Sequence, residues 1–184
     1  MDDESTDEIC DFCKSASLHF TELKALCFYE TPVIELVHAL KFGKRHSVAA
    51  VIADAICKHM DHTYLKPDIM IPIPLHKKRL SERGFNQSEE ILSRIAKKMK
   101  VKYLPLALKR KKTTQAQSLL HKNERAENIK GAFTKGKQAH LLKNRHLLLF
   151  DDVTTTGVTI NEACSILKEC SPASIRVLTF AKAL

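Results

Sequence analysis

The chain has 184 residues, 44% of them apolar, which suits one domain with a filled core, and its five Gly and six Pro exclude a collagen-like or Pro/Gly low-complexity chain. Its longest apolar runs, such as Leu147–Phe150, fall far short of the roughly 20 residues that span a bilayer, and with no basic-then-apolar start a cytoplasmic protein without membrane insertion is expected. The net charge of +9 is uneven: 20 Lys/Arg face 5 Asp/Glu from His76 to Arg145, while the rest of the chain is net negative.

Residues 1–24 show little periodicity and read as a short N-terminal segment ahead of a domain spanning 25–184. Cys10-x-x-Cys13 has the spacing of half a zinc site, and a tetrahedral site needs two more ligands. Cys27 and His19 are nearby, but Cys27 sits in the apolar, strand-like run Ala25–Tyr29. Six Cys without a secretion signal do not suggest a disulfide framework. Cys57, Cys164 and Cys170 fall in helical patterns, as small packing residues.

Leu23–Tyr29 reads as the first strand. Thr31-Pro32 opens a helix with Thr31 as its cap, Val33, Leu36, Val37 and Leu40 as its apolar stripe, and Gly43 as its stop. A second helix covers about Ser47–Met60. Asp68–Pro74 is a buried strand that ends at Pro72 or Pro74, because Pro cannot continue a central ladder. Asn86–Met99 is a helix, and Val101–Leu108 a strand. Lys109–Gly131 is polar and basic, with helix potential from Lys122 to Ile129. His146–Asp151 is a buried strand, Thr159–Cys170 a helix and Ser174–Ala181 the last strand. Strands alternating with helices predict an α/β domain with a mainly parallel sheet.

The stretch richest in chemistry is Leu147–Thr159. A buried strand stops at two adjacent acids, Asp151 and Asp152, at a solvent-facing strand end. A loop of hydroxyls with one glycine then enters a helix. Ligands of open α/β sheets bind beyond the carboxyl ends of strands, and helix N-termini offer unpaired N–H groups to phosphate. Thr154, Thr155, Thr156 and Thr159 add hydroxyls, and Gly157 lets the backbone come close. The two acids can accept hydrogen bonds from neighbouring hydroxyls, as on a ribose. Lys77, Lys78, Arg79 and Arg83 follow a strand end, where they can face an anion. The basic middle suits a polyanionic partner or a solvated surface.

The Asp151–Thr159 stretch resembles the phosphoribosyl diphosphate (PRPP) signature of type I phosphoribosyltransferases. Ile71–Gln87, with its Arg83-Gly-Phe-Asn-Gln87 tail, is similar to the diphosphate loop of the ComF family. Leu108-x-Arg110, Thr114, Gln117, Leu120, Arg125, Asn128 and Gly131-Ala-Phe133 resemble that family's middle signature, and Tyr29-x-x-Pro32…Leu36…Leu40-Lys41-Phe42 fits upstream. The resemblance is collinear over roughly residues 8 to 184 and identifies the chain as a member of the ComF family, described variously as competence or phosphoribosyltransferase-like proteins.

That resemblance implies a type I phosphoribosyltransferase fold. It implies that Asp151 and Asp152 hold the ribose hydroxyls, that Thr154–Gly157 and Thr159 hold the 5′-phosphate, and that Mg²⁺ rides on the donor. Lys77, Arg79 and Arg83 would then stabilise the leaving diphosphate, with Arg110, Gln117, Arg125 and Asn128 on a mobile loop. Single-stranded DNA and proteins of the competence machinery are the further expected partners. Family members begin with two CxxC knuckles that bind zinc together; here only Cys10/Cys13 stands, which implies an incomplete zinc site, the remnant of a zinc ribbon. No acceptor pocket is legible: Trp is absent, Tyr numbers three, and Phe85 and Phe133 are the aromatic candidates, with burial their commoner fate.

Overall fold

The structure, a computed structural model, describes residues 17–43, 45–112 and 129–183. In chain order its elements are β1 (Glu22–Phe28), α1 (Val33–Lys41), α2 (His46–His59), β2 (Ile69–Pro72), α3 (Lys77–Arg83), α4 (Gln87–Met99), β3 (Lys102–Tyr103), β4 (Leu108–Arg110), β5 (Phe133–Lys135), β6 (His146–Thr154), α5 (Val158–Lys168) and β7 (Ser174–Lys182). A five-stranded sheet runs β1-β7-β6-β2-β3, and every pairing in it is parallel. This is the parallel, helix-flanked α/β architecture that the alternation predicts.

The runs Ile69–Pro72 of β2 and Leu147–Phe150 of β6 are apolar without a break because helices cover both faces. Leu148 and Phe150 pack with Ile52 and Ile56 of α2 and Ile91 and Ile95 of α4. Leu147 and Leu149 pack on the other face with Ile160, Ala163 and Leu167 of α5. Period-two alternation along β6 thus divides one strand between two cores.

Three local expectations are revised, and one further element, α3, is new. The first residue before α1 is Pro32, with no side-chain cap bond, so Thr31 does not cap that helix. Val101–Leu108 is not one strand: Pro105 lies between β3 and β4, and β4 leaves the main sheet to pair antiparallel with β5, Arg110 opposite Phe133. α3 has no counterpart in the apolar periodicity because none of its residues is buried; the His76 side chain caps it and Gly84, at φ +88°, ends it. β6 runs on through both acids to Thr154, because β7 continues to pair with it there, Asp151 with Thr179 and Thr154 with Lys182.

The expected helix at Lys122–Ile129, apart from Ile129, lies outside the described residues, as do Cys10 and Cys13. Among the described residues no helix is long and apolar enough to cross a membrane.

Candidate functional site

The carboxyl ends of β2 and β6 lie side by side, with Pro72 paired to Phe150. Two helices begin above them. α4 is anchored by Asn86, whose side-chain oxygen accepts from Ser88 N–H at 3.1 Å and whose Nδ2 donates to Ile73 O at 3.0 Å. Its first turn is therefore tied to the end of β2. α5 begins at Gly157, at φ +74°, a left-handed conformation that favours glycine, and no side chain caps its first N–H groups.

The first turn of α4 reaches both acids. Gln87 Nε2 donates to Asp152 Oδ1 at 3.1 Å, and Ser88 Oγ donates to Asp151 Oδ1 at 2.9 Å. Lys41, in the last turn of α1, pairs with Asp152 Oδ2 at 2.5 Å. Arg83 Nη1 donates to Gln87 Oε1 at 2.5 Å, and its guanidinium lies 5.8 Å from the Phe42 ring centroid. Asp152 is thus the centre of a buried polar network, only 4% exposed. The expectation that both acids face solvent is corrected for Asp152, over which α1 and α4 close, whereas Asp151 is half-buried and lines the cleft.

The two carboxyls differ electrostatically. Burial, then the charge of Asp152, raises the proton affinity of Asp151 above the ordinary carboxylate range. Burial acts on Asp152 in the same sense, but the charge of Lys41 and the bonds from Lys41 and Gln87 outweigh it and hold that carboxyl below its ordinary value. Asp152 is the fixed anion of the pair, and Asp151 is the one that takes a proton more readily.

The acids open into a cleft of about 180 Å³. Thr154 lines it from the end of β6, Thr155 and Gly157 from the β6–α5 loop, Thr159 from the first turn of α5, Arg79 from α3, and Arg110 from the end of β4. Thr156 Oγ1 is buried without a hydrogen-bond partner among the described residues. Burial pushes the Arg110 guanidinium down from its ordinary value while the nearby charge of Asp151 works against that shift. The cation also sits 5.4 Å from the Phe133 ring centroid.

Most expected site residues therefore converge. Arg83 is adjacent but engaged with Gln87, so it acts on the acids through another side chain. Lys77 lines a neighbouring cavity instead of the cleft. Gln117, Arg125 and Asn128 lie outside the described residues. Phe133 is 1% exposed and Phe85 8%, which leaves neither ring open for stacking. Cys27 donates to Phe180 O at 3.3 Å near the far end of β1, whereas His19 precedes that strand and donates its N–H to Asn161. No group of three or more His, Cys, Asp or Glu among the described residues could hold a metal.

Sequence reasoning did not assign site roles to Lys41, Gln87 or Ser88, although Lys41 and Gln87 stand inside stretches matched to the family. The readable signal was a pair of polar residues at an Asn-capped helix start beside a strand end.

Comparison with known proteins accords with this geometry. The family described as the phosphoribosyl transferase domain matches residues 83–184. DNA utilization protein YhgH of Escherichia coli O6:H1 is 28% identical over 180 residues, covering 95% of this chain and 78% of that protein. Competence protein F of Haemophilus influenzae is 26% identical over 179 residues, with the same coverage of each. Competence protein ComFC of Streptococcus pneumoniae is 26% identical over 141 residues, 77% of this chain and 57% of that protein. With its parallel sheet and helix-flanked strand ends, the chain belongs to the phosphoribosyl transferase domain family and is a ComF-family, phosphoribosyltransferase-like protein of the type I fold.

Proposed function

We propose that this protein binds PRPP and transfers its phosphoribose to a nitrogen acceptor. The observation that carries the reading is the single cleft shared by the acid pair, the Thr154–Thr159 loop at a helix start, and Arg79 and Arg110. The 5′-phosphate sits at the start of α5, where backbone N–H groups and threonine hydroxyls meet it. The partnerless Thr156 hydroxyl supports a polar ligand there. Asp151 accepts from the ribose hydroxyls while Asp152, clamped by Lys41 and Gln87, holds the local charge and geometry.

The transition state of such a transfer is oxocarbenium-like, so negative charge grows on the leaving diphosphate. Arg79 and Arg110 face that charge in a half-enclosed site, where fixed cations lower the barrier. Mg²⁺ suits the oxygen-rich lining of Asp151, Thr154, Thr155 and Thr159 and would reach it on the donor. When bound, it supplies neutralising charge to the diphosphate.

The names of the relatives, a DNA utilization protein and a competence protein, support a role for this protein in the use of DNA. A second reading, a non-catalytic PRPP-responsive protein that binds single-stranded DNA, draws on the 20 Lys/Arg between His76 and Arg145.

The deciding assay follows diphosphate release from PRPP and Mg²⁺ over a panel of nitrogen acceptors that includes ammonia, with calorimetric PRPP binding measured alongside. Acceptor-dependent release that Asp151→Asn abolishes supports the enzyme. Binding without release under every acceptor leaves the binding protein, and no PRPP binding overturns both.

A further inference from the structure

A second cavity, about 490 Å³, adjoins the acid cleft. Its volume is in the range of small-molecule sites. Its walls come from α3, the start of α4, the β3–β4 turn, and the β4 and β5 strands. The floor is apolar, built from Leu75, Leu80, Pro105, Leu106 and Leu108. Two of these leucines stay open to water, Leu80 at 41% and Leu106 at 55% exposure. Gly136 brings the β5 end against the turn: a Cβ there would lie 2.1 Å from Leu106 O, so the wall depends on a residue without one.

The rim is cationic. Lys77 lines it from α3, Lys109 from β4 and Lys137 from the turn after β5, against one carboxylate, Glu89. Lys135, also on the rim, pairs with Glu169 at 3.1 Å, whereas no ion pair among the described residues involves the other three lysines. Leu75 and Arg110 line both cavities.

We infer that this second cavity is a binding site for a small organic anion with an apolar body, and that its occupant meets the contents of the acid cleft at Arg110. The apolar floor sets the body of the ligand, and the absence of aromatic rings argues against a stacked base. Three lysines on flexible stems suit a charged group at the mouth. Because one guanidinium borders both cavities, an anion in each competes for the same positive charge. Binding in the second cavity therefore weakens anion binding in the cleft, and the reverse holds by linkage. The site itself does not depend on which anion the cleft takes.

The probe is 8-anilinonaphthalene-1-sulfonate, an apolar-bodied anion, titrated by fluorescence into the full chain. One-to-one binding is expected. Lys109→Glu with Lys137→Glu should weaken it by about tenfold or more, the effect of a charge change near 1.4 kcal/mol. Leu106→Asp should remove the fluorescence without lowering the unfolding midpoint, since that side chain is exposed. Inorganic diphosphate with Mg²⁺ should weaken probe binding in the parent chain. Probe binding indifferent to both variants overturns the site, and binding indifferent to diphosphate overturns the meeting at Arg110. Asp151→Asn serves as the separating control: it should weaken PRPP binding at least tenfold and leave the probe unaffected, so failure of the phosphoribosyl reading and failure of this one give different results.

Discussion

Lys41 Nζ lies 2.5 Å from Asp152 Oδ2 and joins the last turn of α1 to the strand that carries both acids. The side chains are 20% and 5% exposed, so little water screens the pair. Removing one partner of a buried ion pair leaves the other charged and uncompensated. Lys41→Met should therefore cost about 3 kcal/mol of stability, read by chemical denaturation. Adding Asp152→Asn should restore part of that loss. Additive effects of the two substitutions would show that the pair carries no coupling.

The same pair directs the binding test to Asp151. Asp152→Asn confounds binding with folding, because it strands Lys41. Asp151→Asn keeps an oxygen that can accept from Ser88, so its fold should hold. PRPP affinity should fall at least tenfold, on the order of one charge-assisted hydrogen bond. Unchanged calorimetric affinity would remove Asp151 from the ribose site.

A pH dependence follows from the opposed shifts of the two acids. The folded chain holds a proton on Asp151 more tightly than the unfolded chain does, with burial as the first cause. Above the unfolded value of about 4, the folded state thus binds more protons, and stability falls as pH rises until Asp151 ionises. Asp152 behaves oppositely: the stability it contributes is present above the ordinary carboxylate value and is lost as pH falls through its depressed one. Asp151→Asn removes the first contribution, while Lys41 and Gln87, the main causes of the second, stay in place. The variant should gain on the parent chain in unfolding midpoint between about pH 4 and about pH 8. Parallel profiles would contradict the raised proton affinity.

Gly157 stands at φ +74° at the start of α5. Alanine there meets left-handed strain of about 1 kcal/mol, small enough to leave the chain folded. Phosphate-dependent stabilisation, measured as the midpoint shift with added PRPP, should shrink in Gly157→Ala. A shift equal to that of the parent chain would place the phosphate elsewhere.

If the basic middle binds single-stranded DNA, the logarithm of affinity must fall linearly with the logarithm of salt. Lys111 and Lys112 are exposed, next to the Arg110 that lines the cleft. Replacing both with alanine should flatten the slope by about one unit for each phosphate that is no longer neutralised. A parent slope near zero would eliminate the nucleic-acid reading.

Much of the fold was legible where burial dictates pattern. The runs at Ile69–Pro72 and Leu147–Phe150 are apolar because helices cover both faces, and short apolar runs of that kind are readable as central strands. Asn86 was readable as a helix boundary and does cap α4. α3 was not legible, since a helix that buries nothing leaves no periodic trace. From sequence alone the last residues of β6 read as loop, because acids and threonines favour loops in isolation. They remain in the ladder because β7 pairs beside them, a tertiary fact. The acid pair and the threonine loop carried the site in one continuous stretch. Lys41 did not, because it lies 111 positions from its partner and only the packing of α1 brings them together.

The neighbouring bonds from Gln87 and Ser88 also constrain length. Successive residues of a helix point about 100° apart, so the two side chains can reach their separate acids in only one rotational setting of α4. That setting is fixed by the short turn Gly84–Asn86, which connects α4 to the helix bearing Arg79 and Arg83. Deleting or inserting one residue there would rotate both donors away at once. Substitutions can be accommodated in that turn, but a change in its residue count cannot be made without losing both bonds, so the length of three residues is part of how the acids are held.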